Sequence, residues 1–131
     1  MALDVALVSP ERILFTGTAD MVICRTTDGE LAFLTGHAPF VGALGIALVR
    51  IKLADGTEKQ AAVHGGFVEV RDNRVSILSD VAELPDQIDV ERARRAKEDA
   101  EKRLMEADDV DCEAKLRRAH VRLQLAGVLA P

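Results

Sequence analysis

The side chains of this chain that could do chemistry are few and widely spaced. His37 is presented by a loop, Gly36-His37-Ala38-Pro39-Phe40, in which the glycine and the proline set the backbone. His64 precedes Gly65-Gly66 at a predicted strand end, and His120 lies in a helical stretch. No two of them stand at a ligand spacing such as H-x-x-x-H, so no metal site is expected. Cys24 and Cys112, the only cysteines, are far apart and read as two free thiols in a reducing compartment. The phosphate loop G-x-x-x-x-G-K, the elbow G-x-S-x-G, a Cys/His dyad and G-x-G-x-x-G are missing. With 3% aromatic residues and neither Trp nor Tyr, there is no platform for stacking bases or sugars. A catalytic centre would have to be a metal-dependent one built from His37, His64 and Glu30 or Glu69; the expectation is that the chain has no catalytic site.

What remains is charge, and it is unevenly distributed. Residues 1–87 hold 7 Lys and Arg against 12 Asp and Glu, a balance of −5, which argues against a nucleic-acid partner. Residues 112–126 carry Glu113 alone against Lys115, Arg117, Arg118 and Arg122, a balance of +3. No stretch approaches the roughly 20 uninterrupted apolar residues that cross a bilayer, so direct lipid insertion is not expected. The opening Met-Ala-Leu-Asp-Val lacks the basic and apolar segments of a signal or transit peptide.

The elements that position these residues change period near Pro85. Before it, short apolar-alternating runs are broken by turn signals; after it come two alanine-rich, charged stretches of helical spacing. Leu3 to Val8, Ile13 to Phe15, Met21 to Cys24 and Glu30 to Leu34 read as strands, with Asp28-Gly29 supplying the positive φ angles of a tight hairpin. Val49, Ile51 and Leu53 point inward, then Ala54-Asp55-Gly56-Thr57 turns the chain back through Lys59, Ala61 and Val63. A third hairpin folds Phe67 to Val70 through Asp72-Asn73 onto Val75 to Leu78. Short strands of this kind predict two packed sheets, an antiparallel β-sandwich over residues 1–85.

Residues 86–131 predict an antiparallel two-helix hairpin. Asp89 is a plausible N-cap, followed by a stripe of Ala93, Ala96, Ala100, Leu104 and Ala107. Asp108 to Asp111 forms the link, with Asp111 as candidate cap, and Cys112, Leu116, Ala119, Leu123 and Ala126 repeat the stripe before Gly127 ends it. Alanines bury little area each, so good helices are expected to dock weakly and to open without melting.

Several segments together resemble the epsilon subunit family of F-type ATP synthases, the counterpart of the mitochondrial delta subunit. They are Val8-Ser9-Pro10-Glu11 with Leu14 and Gly17, Gly29-Glu30-Leu31, Gly36-His37-Ala38-Pro39, Gly65-Gly66-Phe67-Val68-Glu69-Val70, Val75 to Asp80, Ile88-Asp89, and Ala119 with Arg122-Leu123. Thr35 departs from the proline usual in the family before that glycine. The resemblance implies the sandwich-plus-hairpin fold and a non-catalytic rotor subunit that couples rotation to ATP synthesis and restrains ATP hydrolysis. Its implied partners are the gamma subunit, the c-ring, and the alpha/beta catalytic head, at the cytoplasmic face of a bacterial plasma membrane. It implies ring contacts at Glu30, His37, Ala38 and Pro39, and contact of Lys115, Arg118 and Arg122 with a catalytic beta subunit. Ile88-Asp89-Val90-Glu91-Arg92-Ala93 matches the motif through which some relatives bind regulatory ATP, giving Ile88, Asp89, Arg92 and Ala93 as nucleotide-binding residues; Asp99 stands where that pattern has a base. No cofactor is required. The rival reading is a free-standing sandwich adaptor or chaperone with a coiled-coil arm.

Overall fold

The computed structural model describes residues 2–129. Strands β1 (Leu3–Val8), β2 (Ile13–Ala19), β3 (Met21–Thr26), β4 (Gly29–Leu34), β5 (Phe40–Ala43), β6 (Ile46–Lys52), β7 (Glu58–His64), β8 (Phe67–Arg71), β9 (Arg74–Leu78) and β10 (Ala82–Glu83) precede helices α1 (Val90–Glu106) and α2 (Val110–Leu125). The strands form two sheets, β2-β1-β9-β8-β5 (sheet A) and β10-β7-β6-β3-β4 (sheet B). Pairing is antiparallel except between β1 and β9, which run parallel. Period-2 alternation drives the packing: Leu3, Val5 and Leu7 of β1, Val68 and Val70 of β8, and Val75 and Ile77 of β9 meet Val22, Cys24, Phe33, Val49, Ile51 and Val63 of the other sheet in one buried core. Burial there pushes the Cys24 thiol up to about 12, so it is chemically quiet.

The turns hold register by three different devices. Asp72 and Asn73 both take left-handed backbone, φ 50 and φ 58, as a two-residue primed turn requires. At the β3–β4 hairpin the structure departs from the expected Asp-Gly turn. Thr26 pairs with Gly29, so Thr27 and Asp28 are central, and only Gly29 has positive φ, at 126°. The buried Thr26 hydroxyl does the rest, accepting from the Asp28 N–H at 3.2 Å and donating to the Gly29 carbonyl at 3.0 Å. The β6–β7 loop is wider, with the Asp55 carboxylate accepting the Thr57 N–H at 2.9 Å. Gly66 is required by close approach: at φ +113, a Cβ there would lie 2.1 Å from the Leu78 carbonyl oxygen.

The chain leaves the sandwich through Leu84, which packs on the core, and a single 3₁₀ turn at Pro85–Gln87. Asp89 caps α1 by accepting the Arg92 N–H at 3.1 Å. The α2 cap is Asp109, which accepts from Asp111 N–H at 2.9 Å and Cys112 N–H at 3.3 Å. Asp111, the cap expected from spacing, instead lies in the first turn, because the helix begins two residues earlier than that cap implies, at Val110. At the other end Gly127 takes φ +80 while its N–H and that of Val128 reach back to the Gln124 and Leu123 carbonyls, the Schellman closure. In the α1 stripe Ala93 and Ala100 are buried, but Ala96 and Ala107 are exposed, which makes the helix–helix seam thinner than expected.

The hairpin forms a third layer on the outer face of sheet B, docking through α2. Val121 and Leu125 sit on Ala62 of β7, ringed by Ile46, Leu48 and Ile88. These two residues lie off the Cys112–Leu116–Ala119–Leu123 stripe that faces α1, so α2 carries two apolar faces. Strand β7 is accordingly buried on both sides at Ala61, Ala62 and Val63.

Candidate functional site

Four surfaces gather the residues with functional potential. The first joins the hairpin to the body. Glu83, on β10, faces outward beside Ala62, its register partner on β7. Its Oε1 accepts from His64 Nε2 at 2.7 Å and from Arg122 Nε at 2.8 Å. Burial works against the Glu83 charge, but the hydrogen bonds from Arg122 and His64 outweigh it and hold the carboxyl below its ordinary value. Burial depresses the His64 pKa, the bond to Glu83 opposes, and the nearby Arg122 and Arg118 cations add to the depression; the ring is neutral at pH 7. His64 ends strand β7, as its place before Gly65-Gly66 suggested, and is at the same time a packed member of the joint, its side chain 4% exposed. Spacing carries no signal for this trio; only the docking of α2 brings it together.

The second surface is a groove of about 310 Å³ along the hairpin, lined by Ala96, Asp99, Arg103, Lys115, Arg118 and Arg122 among others. It assembles the three expected basic residues Lys115, Arg118 and Arg122 and adds Arg103, with Asp99 the acid among these lining residues. Arg117 lies on the other side, lining a separate groove with Arg25 and His120. The expected nucleotide residues fall outside the groove. Ile88 packs on the Val121–Leu125 cluster, the Asp89 carboxylate is used as the α1 cap, Arg92 is exposed, and Ala93 is buried at 4% exposure. A polyanion in the groove would meet Arg103, Lys115, Arg118 and Arg122 as donors and Asp99 as a repelling charge.

The third set is the outer rim of the sandwich. His37, Ala38 and Pro39 form one loop, its Gly36 N–H donating to Asn73 Oδ1 at 2.7 Å and the His37 ring meeting Phe33 edge-on at 5.0 Å. Glu30 is exposed near the start of β4, while the loop follows that strand's end, so the structure does not cluster it with His37. The span from Glu30 to Leu34 alone is about 13 Å of extended strand. Glu69, on the outer face of sheet A, and His64, under the hairpin, complete the scatter of the residues a metal enzyme would need. Among the described residues, no group of three or more His, Cys, Asp or Glu is placed to hold a metal ion.

Sequence reasoning missed an apolar row across the outer face of sheet A. Register places Ile13, Val8, Leu78, Phe67 and Ala43 side by side across all five strands. Ile13 is 65% exposed, Phe67 61% and Leu78 57%, and Val41 adds 69% beside them. An apolar strip of this kind, continuous across the sheet and exposed at its large members, marks an interaction face, whereas scattered apolar residues do not. The signal was available: these are the outward residues of strands whose inward neighbours are also apolar.

Two family models match the chain, the beta-sandwich domain of the ATP synthase Delta/Epsilon chain over residues 2–85 and the long alpha-helix domain of the same chain over residues 86–127. Two curated relatives are similar along nearly their whole length. The ATP synthase epsilon chain of Halalkalibacterium halodurans is 48% identical over 130 residues, 95% of this chain and 97% of the relative. That of Symbiobacterium thermophilum is 46% identical over 132 residues, 97% and 94% of the two chains. Among solved structures, a chain of the Euglena gracilis mitochondrial ATP synthase, OSCP/F1/c-ring, superposes with a TM-score of 0.73 at 23% identity, covering 97% of this chain and 78% of that one. A chain of the Tetrahymena thermophila mitochondrial ATP synthase central stalk and c-ring gives a TM-score of 0.62 at 18% identity, over 98% of each. These two likenesses establish the shared fold.

Proposed function

The chain belongs to the ATP synthase delta/epsilon chain family, and from that membership we propose that it is the non-catalytic epsilon subunit of a bacterial F-type synthase, a rotor component of the central stalk. The observation that carries this reading is the separation of its two working faces. The apolar row of Ile13, Val8, Leu78, Phe67 and Ala43, exposed at Ile13, Leu78 and Phe67, lies on sheet A, whereas the helical hairpin covers sheet B on the opposite side of the body. A subunit held to a shaft through sheet A keeps its hairpin free to leave sheet B. We assign the sheet A row to the gamma subunit, because an apolar strip wet in the isolated chain gains free energy when a partner covers it.

The other contacts follow from charge and position. The loop His37-Ala38-Pro39 offers a titratable ring and a stiff backbone to the polar loops of the c-ring, with Glu30 contributing from the far end of β4. Lys115, Arg118 and Arg122 give the hairpin a basic face for an acidic segment of the catalytic beta subunit, which is how an extended hairpin restrains ATP hydrolysis. In the docked form, the Arg103–Lys115–Arg118–Arg122 groove is the place for regulatory ATP, with the Ile88-Asp89-Val90-Glu91-Arg92-Ala93 segment at its end. Were ATP to bind only the docked form at 100 times its dissociation constant, docking would gain about 2.7 kcal/mol. The subunit reaches the cytoplasmic face of the membrane through the complex; none of its described helices is long and apolar enough to cross a bilayer.

Co-purification with gamma tests the reading. The wild-type chain should pull down gamma stoichiometrically, and Phe67→Glu with Leu78→Glu should weaken that binding at least tenfold while the isolated chain still folds. Full gamma binding by the double variant would refute the assignment of this face, and no gamma binding by the wild type would refute the function.

A further inference from the structure

We propose that His64, Glu83 and Arg122 form a proton-released latch, in which uptake of one proton at His64 frees the helical hairpin from sheet B. The trio comes from three elements: β7, the short edge strand β10, and α2. One carboxylate oxygen, Glu83 Oε1, serves both His64 Nε2 at 2.7 Å and Arg122 Nε at 2.8 Å. An ionised carboxylate only accepts, so Nε2 carries the ring's hydrogen and the neutral ring leaves Nδ1 bare. That Nδ1 is buried and has no hydrogen-bond partner.

A second proton on the ring has nowhere else to go. It would create an N–H at Nδ1 without an acceptor and shielded from water, and a positive ring that the Arg118 and Arg122 cations of α2 repel. The other charges around it are Glu83 from β10, already hydrogen-bonded to Nε2, and Asp80, whose carboxylate approaches the neighbouring Gly65. When the hairpin lifts, both arginines leave with α2, His64 meets water, and Glu83 stays beside it. Each change favours the protonated ring.

The direction of the linkage follows. The docked state holds the imidazole below its ordinary 6.5, by burial first and by the two arginines second, and the open state restores or raises it. The docked state therefore binds the proton less tightly than the open one. Docking is at full strength above the open-state pKa and is lost as pH falls from there toward the docked-state value. Opening also releases Arg122 from Glu83, so the same proton makes that guanidinium available to another anion. The inference concerns the chain by itself and does not depend on its assembly into a synthase.

The test is solution energy transfer on the full chain, with dyes at Asp55→Cys on the β6–β7 loop and Lys102→Cys on α1, in a Cys112→Ala background. Cys24 is silent, being fully buried with its thiol pushed up to about 12. The open-to-docked ratio should be flat above about pH 7.5 and rise on acidification by at most tenfold per pH unit, the limit for one linked proton. His64→Gln, whose amide still donates to Glu83 but does not titrate, should dock at about pH 8 and lose the response; His120→Gln should keep it. A flat wild-type profile down to about pH 5.5, or an unchanged response in His64→Gln, overturns the proposal. Should His64→Gln fail to dock at all, NMR titration of the His64 ring decides: its midpoint should rise in Arg122→Gln relative to wild type, and an equal or lower midpoint overturns the latch.

Discussion

Truncating Leu125 to alanine should open the hairpin without melting the body. Leu125 is 5% exposed and belongs to the small cluster with Val121 and Ala62 that joins α2 to sheet B, separate from the sandwich core. Leu125→Ala removes three carbons from that joint, about 2.4 kcal/mol at roughly 0.8 kcal/mol per buried methylene. Residual cavity would add to this, but the cluster sits at an edge ringed by half-buried Ile46, Leu48 and Ile88 and can partly collapse, so the transfer value is the working figure. With 1.4 kcal/mol per factor of ten, the opening equilibrium should shift roughly 50-fold. Thiol labelling reads this directly. An Ala62→Cys thiol lies under α2 and reacts only when the hairpin lifts, whereas Cys24, at 0% exposed in the sandwich core, reacts only when the body unfolds. In a Cys112→Ala background at fixed pH, Leu125→Ala should accelerate labelling at position 62 roughly 50-fold and leave Cys24 protected. No acceleration, or acceleration in step with Cys24, would show that the hairpin does not move as a unit and refute the reasoning.

Gly66→Ala should destabilise the sandwich by about 3 kcal/mol or more, read from denaturant unfolding, because its Cβ would meet the Leu78 carbonyl at 2.1 Å in a left-handed backbone. Asp109→Ala should speed hydrogen exchange at the Asp111 and Cys112 amides, while Asp111→Ala leaves them protected. The Asp109 carboxyl is held below its ordinary value by hydrogen bonds from Cys112 and Asp111, so the cap is intact above the ordinary carboxylate pKa and is lost as pH falls through the depressed one. In the assembled complex, Arg118→Glu with Arg122→Glu should raise the rate of ATP hydrolysis; an unchanged rate would remove these residues from inhibition. Calorimetric titration of the isolated chain with ATP should give heat that Arg103→Ala with Lys115→Ala abolishes, and absence of heat for wild type at millimolar ATP would leave the groove without that role.

Local rules explain which parts of this architecture can be read from the chain. The switch of period at Pro85, the Asp72-Asn73 turn, the inward Val49 and Ile51 of β6, and the Asp89 cap depend on residues a few positions apart, and each appears where spacing places it. The larger misreadings need distant neighbours, whereas the β3–β4 turn and the α2 cap are decided by side chains two or three residues away. The α1-facing stripe of α2 repeats at three and four residues, but Val121 and Leu125 make sense only once sheet B lies beneath them. His64, Glu83 and Arg122 meet across 19 and 39 positions of chain, with no motif to announce them. The Asp28-Gly29 pair promised a primed turn, yet the Thr26 hydroxyl shifted the turn back by one residue. Among the site residues, the basic trio Lys115, Arg118 and Arg122 does share one groove, because all three fall on one face of a single helix. Glu30 and His37 do not share a patch, because a strand separates them.

Hydroxyl-radical footprinting of the chain, free and bound to gamma, tests the central claim that one face anchors the body and the opposite face carries a movable hairpin. Protection confined to Ile13, Val41, Phe67 and Leu78, with the hairpin residues Met105 and Val110 as reactive as in the free chain, is the predicted pattern. Protection of the outer face of sheet B, with Phe67 and Leu78 left open, would contradict it.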